Sequence, residues 1–276
     1  MLTVKSLRIY PVKSGQGIDL DTAQLRPRGL AGDRRFMIVG KGGQFITQRQ
    51  CPQLAQLSVR FTNTGLILQW PGSAEKQINF PDAASAERRI DVTVWRSTVN
   101  AAFVMDDVNA ALSDWLGQQA ALVYMDDAAQ REASIKWTGV PSSPVSFADG
   151  YPVLVTNMAS LSALNTYILG NEGYPIPMNR FRSNIVIDGA RAWAENDWKQ
   201  IEIGDVILDL VKPCARCIIT SIDQTSGKKR PKAALSALKH LNPSDNPDNP
   251  GVMFGMNAVV RKMGKIDMGA EIKILA

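Results

Sequence analysis

Short hydrophobic runs, each bounded by Gly, Pro, Asn or Asp, recur along most of this chain and leave little room for long helices. In the first third they are "SLRIYPV", "RRFMIVG", "GLILQW", "KQINF" and "IDVTVW". The last third adds "SNIVIDG", "IEIGDVILDLV", "CIITSID", "NAVVRK" and "AEIKILA". Strands this short and this closely spaced favour a barrel or sandwich over βαβ units. "IEIGDVILDLV" and "IDMGAEIKILA" echo each other as strand–Gly–strand corners, which suit a curved sheet. The expected fold is mainly β (α+β), with two β-barrel-like domains and a few helices.

Apolar periodicity predicts one helix from Asp106 to Leu116, with Val108, Leu112 and Trp115 on one face and Gly117 as terminator. A second is predicted from Asn157 to Leu169, with Leu161, Leu164 and Ile168 sharing its face. An Ala/Leu/Lys segment, 231–239, reads as helical and leads to His240. The "GKGG" of 40–43 reads as a turn; with no Lys-Ser/Thr after it, it makes a poor phosphate loop. "NPSDNPDNPG", 242–251, is expected as an exposed loop.

The net charge of +5 is carried by scattered residues, and the densest basic run, Lys228-Lys229-Arg230, follows Gly227 in a turn. That distribution argues against a nucleic-acid partner. No apolar stretch is long enough for a bilayer and no secretory leader is legible, so no membrane role and a cytoplasmic location are expected. Three cysteines are too few for a disulfide framework, and one histidine excludes multi-His zinc.

Chemistry concentrates in Lys212-Pro213-Cys214-Ala215-Arg216-Cys217. A Cys-x-x-Cys pair has three common meanings. Structural zinc would need Cys51 and His240 as further ligands, neither of them in a spaced pair. Thioredoxin-type chemistry wants a helix after the pair, whereas "IITSID" reads as a strand. The third meaning is one thiolate on a soft metal, with Arg216 lowering the neighbouring thiol's pKa.

The surrounding sequence resembles MOSC-domain proteins, in particular the amidoxime-reducing-component branch and its bacterial relatives. "YPVKSGQG", "GLAGDRRFMIV", "ITQRQCPQL", "FADGYPVLVTNMASLSALN", "FRSNIVIDG" and "KPCARCIITSID" follow one another in that family's order. The resemblance implies an N-terminal MOSC-associated barrel over 1–120 and a MOSC domain over 121–276. It implies a molybdenum–molybdopterin cofactor with Cys217 as the metal ligand. Lys13, Ser14, Arg34, Arg182, Asn184 and Arg216 match cofactor-holding positions, and Asp149 matches an acidic residue close to the metal that would serve as proton donor or relay. Cys51 is given no role and Cys214 a supporting one.

The implied activity is reduction of N-hydroxylated compounds, such as hydroxylaminopurines, amidoximes or hydroxylamines. The chain ends at "KILA" without the cysteine cluster of a ferredoxin domain, so electrons are expected from a separate ferredoxin- or flavin-type donor. The alternative is a cofactor or sulfur carrier using a Cys217 persulfide; a dithiol redox protein using Cys214 and Cys217 is a third reading. Singly, each residue has a plainer explanation: a surface lysine for Lys13, a turn former for Asp149, a backbone bridge for Asn184.

Overall fold

The computed structural model describes residues 1–81, 88–104 and 107–276. Its largest element is a nine-stranded sheet. Strands run in the order Ile272–Ile274, Gln200–Ile203, Val206–Ala215, Gly251–Lys262, Val153–Asn157, Ile185–Asp188, Thr3–Ile9 and Ile18–Leu20, with Pro243–Ser244 attached to Gly251–Lys262. Pairing in it is antiparallel except between Val153–Asn157 and Ile185–Asp188, whose connection includes the helix Met158–Gly170. Three smaller sheets complete the β structure. The chain is mainly β with few helices, as the strand spacing predicts.

Pairing repeatedly joins distant stretches. Thr3–Ile9 lies against Ile185–Asp188, Thr22–Arg26 against Gly264–Asp267, and Phe36–Val39 against Ala121–Tyr124. The apolar run "FMIV" does not alternate because both of its faces are covered. Phe36 and Ile38 enter one core with Leu54, Leu66 and Leu112, while Met37 and Val39 enter another with Val92, Val123 and Phe147.

The helices follow their apolar faces. Val108–Leu116 is closed by Gly117 at φ 65°, and Trp115 stacks on Trp70; the expected first residue, Asp106, lies outside the described residues. Met158–Gly170 is capped by the Asn157 side chain and packs on Ala233–Leu241 through Leu161, Leu164 and Leu238. His240 sits in the last turn of that second helix, stacked on Tyr167, rather than in a loop. Part of 242–251 pairs after all: Pro243 and Ser244 face Val252 and Gly251. Proline is tolerated there because the pairing is short and lies off the main order of the sheet.

Gly29, in the short strand Gly29–Leu30, packs against the loop before Val153–Asn157. It holds φ +95°, and a Cβ there would run into the Pro152 carbonyl oxygen. Gly29→Ala is therefore expected to cost about 2–4 kcal/mol, from left-handed strain plus a backbone clash. A urea midpoint unchanged from wild type would show that this contact relaxes freely.

Candidate functional site

An open cleft gathers Lys13, Ser14, Arg34, Asp149, Arg182, Asn184, Arg216 and Cys217 on its walls. All eight site residues expected from the sequence are thus neighbours. They arrive on different elements. Lys13 and Ser14 follow the first strand, Arg34 precedes Phe36–Val39, and Arg182 and Asn184 flank the entry to Ile185–Asp188. Cys217 follows the long strand Val206–Ala215, whose register slips around Pro213, a residue with no N–H for the ladder.

Local strain collects here. Six described non-glycine residues have positive φ, and three of them, Ser14 (69°), Arg34 (45°) and Arg182 (57°), line the cleft. Such conformations cost of order 1–3 kcal/mol each and persist where surrounding structure enforces them. The enforcement is visible at Tyr10, whose ring lies between the guanidinium groups of Arg34 and Arg182, 4.3 and 4.1 Å from its centroid.

Among the described residues, five cations line the cleft (Lys13, Arg34, Arg49, Arg182 and Arg216) against the single carboxylate of Asp149. Arg34 donates to Asp33 at 2.6 Å and to the Asn184 side-chain oxygen at 3.0 Å. Lys13, only 5% exposed, donates to Asp149 at 2.5 Å and to the Phe147 carbonyl at 2.7 Å. It is no surface lysine. Arg182 donates through Nη1 to Gly15 O and Gln224 Oε1, while its buried Nη2 meets no acceptor. Burial pulls the Arg182 guanidinium down to about 10, with Arg34 repelling it further and Tyr10 opposing. It is still a cation at neutral pH.

Asn184 is engaged at both ends of its amide. Its oxygen accepts from Arg34 and from Leu154 N, and its NH₂ group donates to Arg8 O. What it does in the cleft is hold Arg34 in place. Arg216 also departs from expectation. Its Nη1 reaches Cys214 Sγ at 2.9 Å and its Nη2 the Phe181 carbonyl at 2.6 Å, so it turns away from Cys217. The guanidinium near Cys217 Sγ belongs to Arg49, at 3.9 Å, and it stacks over Trp95. Arg49 lies inside the "ITQRQCPQL" motif, and membership of that motif is its one signal in the sequence.

"IITSID" is not a strand. Ile218–Ser221 makes one tight 3₁₀ turn, with Cys217 extended at its start and Thr220 bonding back to the Cys217 carbonyl through both N–H and hydroxyl. Tertiary closure overrides the β-branched propensity at this point. Cys51 and His240 lie in separate packing regions: Cys51 is buried among Val12, Leu54 and Leu57, and His240 is on Tyr167. Among the described residues, no group of three His, Cys, Asp or Glu side chains could hold a metal ion. A metal at Cys217 would therefore need donors from a non-protein group.

The cleft walls desolvate the Asp149 carboxyl only in part, and the charge and hydrogen bond of Lys13, aided by Arg49 and the Trp95 N–H, hold it well below the usual carboxylate range. Its side chain is 62% exposed, so the strength of the pair rests on the short contact and not on shielding from water. Lys13 is pushed down by burial and partly restored by Asp149. Arg131 secures the same loop, donating to the carbonyls of Ser146, Ala148 and Asp149.

The donor set fits a phosphate-bearing, sulfur-rich group. It offers a surplus of mostly half-buried cations, the unpartnered buried donor atoms Arg182 Nη2 and Arg216 Nε, and a free thiol at Cys217. No helix among the described residues is long and apolar enough to cross a membrane.

Comparison with known proteins bears on the same region. Residues 1–119 match the MOSC N-terminal beta barrel domain and residues 142–273 the MOSC domain. Mitochondrial amidoxime reducing component 2 of Bos taurus is 29% identical, over 98% of this chain and 82% of that protein. Molybdenum cofactor sulfurase of Oryza sativa subsp. japonica is 28% identical, over 86% of this chain and 31% of that protein. The YUAD protein structure from Bacillus subtilis superposes at a TM-score of 0.45 with 10% identity, covering 99% of this chain and 94% of that one.

Proposed function

The chain belongs to the MOSC-domain family, with a MOSC N-terminal β-barrel domain ahead of the MOSC domain, and from that premise we propose that its cleft holds a molybdenum–molybdopterin cofactor and reduces N-hydroxylated compounds. Hydroxylaminopurines, amidoximes and hydroxylamines are the substrate class, and a separate ferredoxin- or flavin-type protein is the electron donor. We take 1–120 and 121–276 to meet at the cleft, with Lys13, Ser14 and Arg34 supplied by one and Arg182, Asn184 and Cys217 by the other. The observation that carries the proposal is the surplus of cations, one buried and four partly buried, around an accessible thiol, since such charge is costly to desolvate without an anion.

In this reading Arg182, with Lys13, Ser14 and Arg34, grips the pterin phosphate, and Cys217 supplies the protein's sulfur ligand. The bound group would contribute two-electron chemistry and an open position for the substrate's oxygen. Arg49 lies against the Cys217 sulfur and offsets the charge of its thiolate. Asn184 fixes Arg34, and Arg216 ties Cys214 to the Phe181 carbonyl, steadying the strand end that presents Cys217.

Cleaving an N–O bond to amine and water consumes protons. Ionised Asp149 stores none; the transferable proton of the pair sits on Lys13 Nζ, and Asp149 orients it and relays. Asp149→Asn is expected to lower kcat/KM about tenfold or more. It removes the carboxylate that props up the Lys13 pKa, so Lys13 loses its proton at lower pH and the high-pH limb of the profile moves towards neutrality. An unmoved limb would take Lys13 out of proton delivery.

The likeness to a protein named for cofactor sulfuration favours one alternative, a sulfur or cofactor carrier using a Cys217 persulfide. Protein purified from a cofactor-producing host decides between them. Stoichiometric molybdenum with N-hydroxy reductase activity supports the enzyme, and exchangeable sulfane sulfur without retained metal supports the carrier.

A further inference from the structure

Consecutive residues Arg34 and Arg35 line different hollows. Arg34 faces the cofactor cleft; Arg35 lines an open hollow with Arg28 and Ser146. Arg35, Ala31 and Gly32 also line a groove that contains Phe61, Phe80 and Tyr124. The two hollows adjoin across these three shared residues, forming a depression where several sheets meet, the kind of junction at which small-molecule sites form.

Its two ends differ in chemistry. In the groove, Phe61, Phe80, Tyr124 and Phe36 form an aromatic ladder with centroid spacings of 6.5, 5.9 and 4.7 Å, and Phe61 is 39% exposed. In the hollow, the Arg28 guanidinium donates to the main-chain carbonyls of Asp126 and Ala129, and Arg35 to that of Met125. Burial lowers the Arg28 pKa, and the charge of Arg35 lowers it further. Two acids share the lining, but Asp127 is 99% exposed and meets Arg35 at 3.2 Å, while Glu132 already accepts from Ser143 N. Ser146, 1% exposed, has a hydroxyl with no partner.

We infer that this depression is a second ligand site, taking a molecule with a flat aromatic ring and one anionic group. The ring lies along Phe61 and Phe80, and the anion sits between Arg35 and Arg28 within reach of the Ser146 hydroxyl. Arg35 serves both ends, since its guanidinium also lies 5.3 Å from the Tyr124 ring centroid.

Fluorescence titration of the full chain with 8-anilinonaphthalene-1-sulfonate tests this. One saturable site per chain is expected, weakened about tenfold or more by Phe61→Ser and by Arg35→Gln. Arg182→Gln, in the cofactor cleft, will leave it unchanged, and the uncharged N-phenyl-1-naphthylamine will bind about tenfold more weakly. The proposal is overturned if Phe61→Ser leaves binding intact, if Arg182→Gln abolishes it, or if the two probes bind equally. Phe61 is exposed enough for its replacement to be tolerated, and thermal melts of each variant confirm folding.

Discussion

Cys217→Ala protein, produced in a cofactor-competent host, is expected to lose N-hydroxy reductase turnover by at least about 10³-fold, on the order of 4 kcal/mol of transition-state stabilisation. It should also retain less molybdenum than wild type. Cys217 opens a tight turn at the cleft wall, and its sulfur, 3.9 Å from the Arg49 guanidinium, is not tied down by a short hydrogen bond. Cys214 differs: its sulfur is held by Arg216 at 2.9 Å. Cys214→Ser is therefore expected to keep activity within a few-fold, because a serine oxygen still accepts from Arg216. A dithiol mechanism predicts equal loss from both changes. Equal molybdenum content and equal turnover in wild type and Cys217→Ala would remove the ligand assignment altogether.

Arg182→Met carries the second large effect, and its size differs between the loaded and the empty protein. Charge-assisted bonds to a phosphate are worth about twice neutral ones, so losing the fork is expected to cut cofactor retention roughly 10²-fold. In the empty protein the same guanidinium is a half-buried cation with an unpartnered Nη2 and Arg34 close enough to repel it. Methionine keeps the packing on Tyr10 and removes that desolvation penalty but leaves Gly15 O and Gln224 Oε1 without their donor, so the two effects offset and the melting temperature of the empty variant is expected to stay close to wild type. Thermal melts of both empty proteins, beside molybdopterin content of the loaded ones, separate the two effects. A variant that melts several degrees lower yet holds its cofactor would make Arg182 a structural residue.

Much of the fold is legible in residue order. Short strands, the helix faces of Leu112 and Leu164, and the Gly117 terminator are local properties, because side-chain periodicity and glycine's access to positive φ act over a few residues. The ordered motifs also pick out residues that the fold brings to one cleft. Roles within that set are less legible. Arg216 adjoins Cys217 in sequence yet reaches Cys214, and the 3₁₀ turn at Ile218–Ser221 runs against its own β-branched composition.

What the sequence determined by itself is the strand-rich class, the inventory of cations and the thiol available to the site, all carried by residue type and short-range spacing. Only the tertiary structure decided that Arg49, 168 residues from Cys217, is the cation at its sulfur, and that Lys13, 136 residues from Asp149, is the cation paired with that carboxylate. The physical reason is that a charge acts through distance in space and through what water is excluded, and neither quantity is written in the order of residues along a chain.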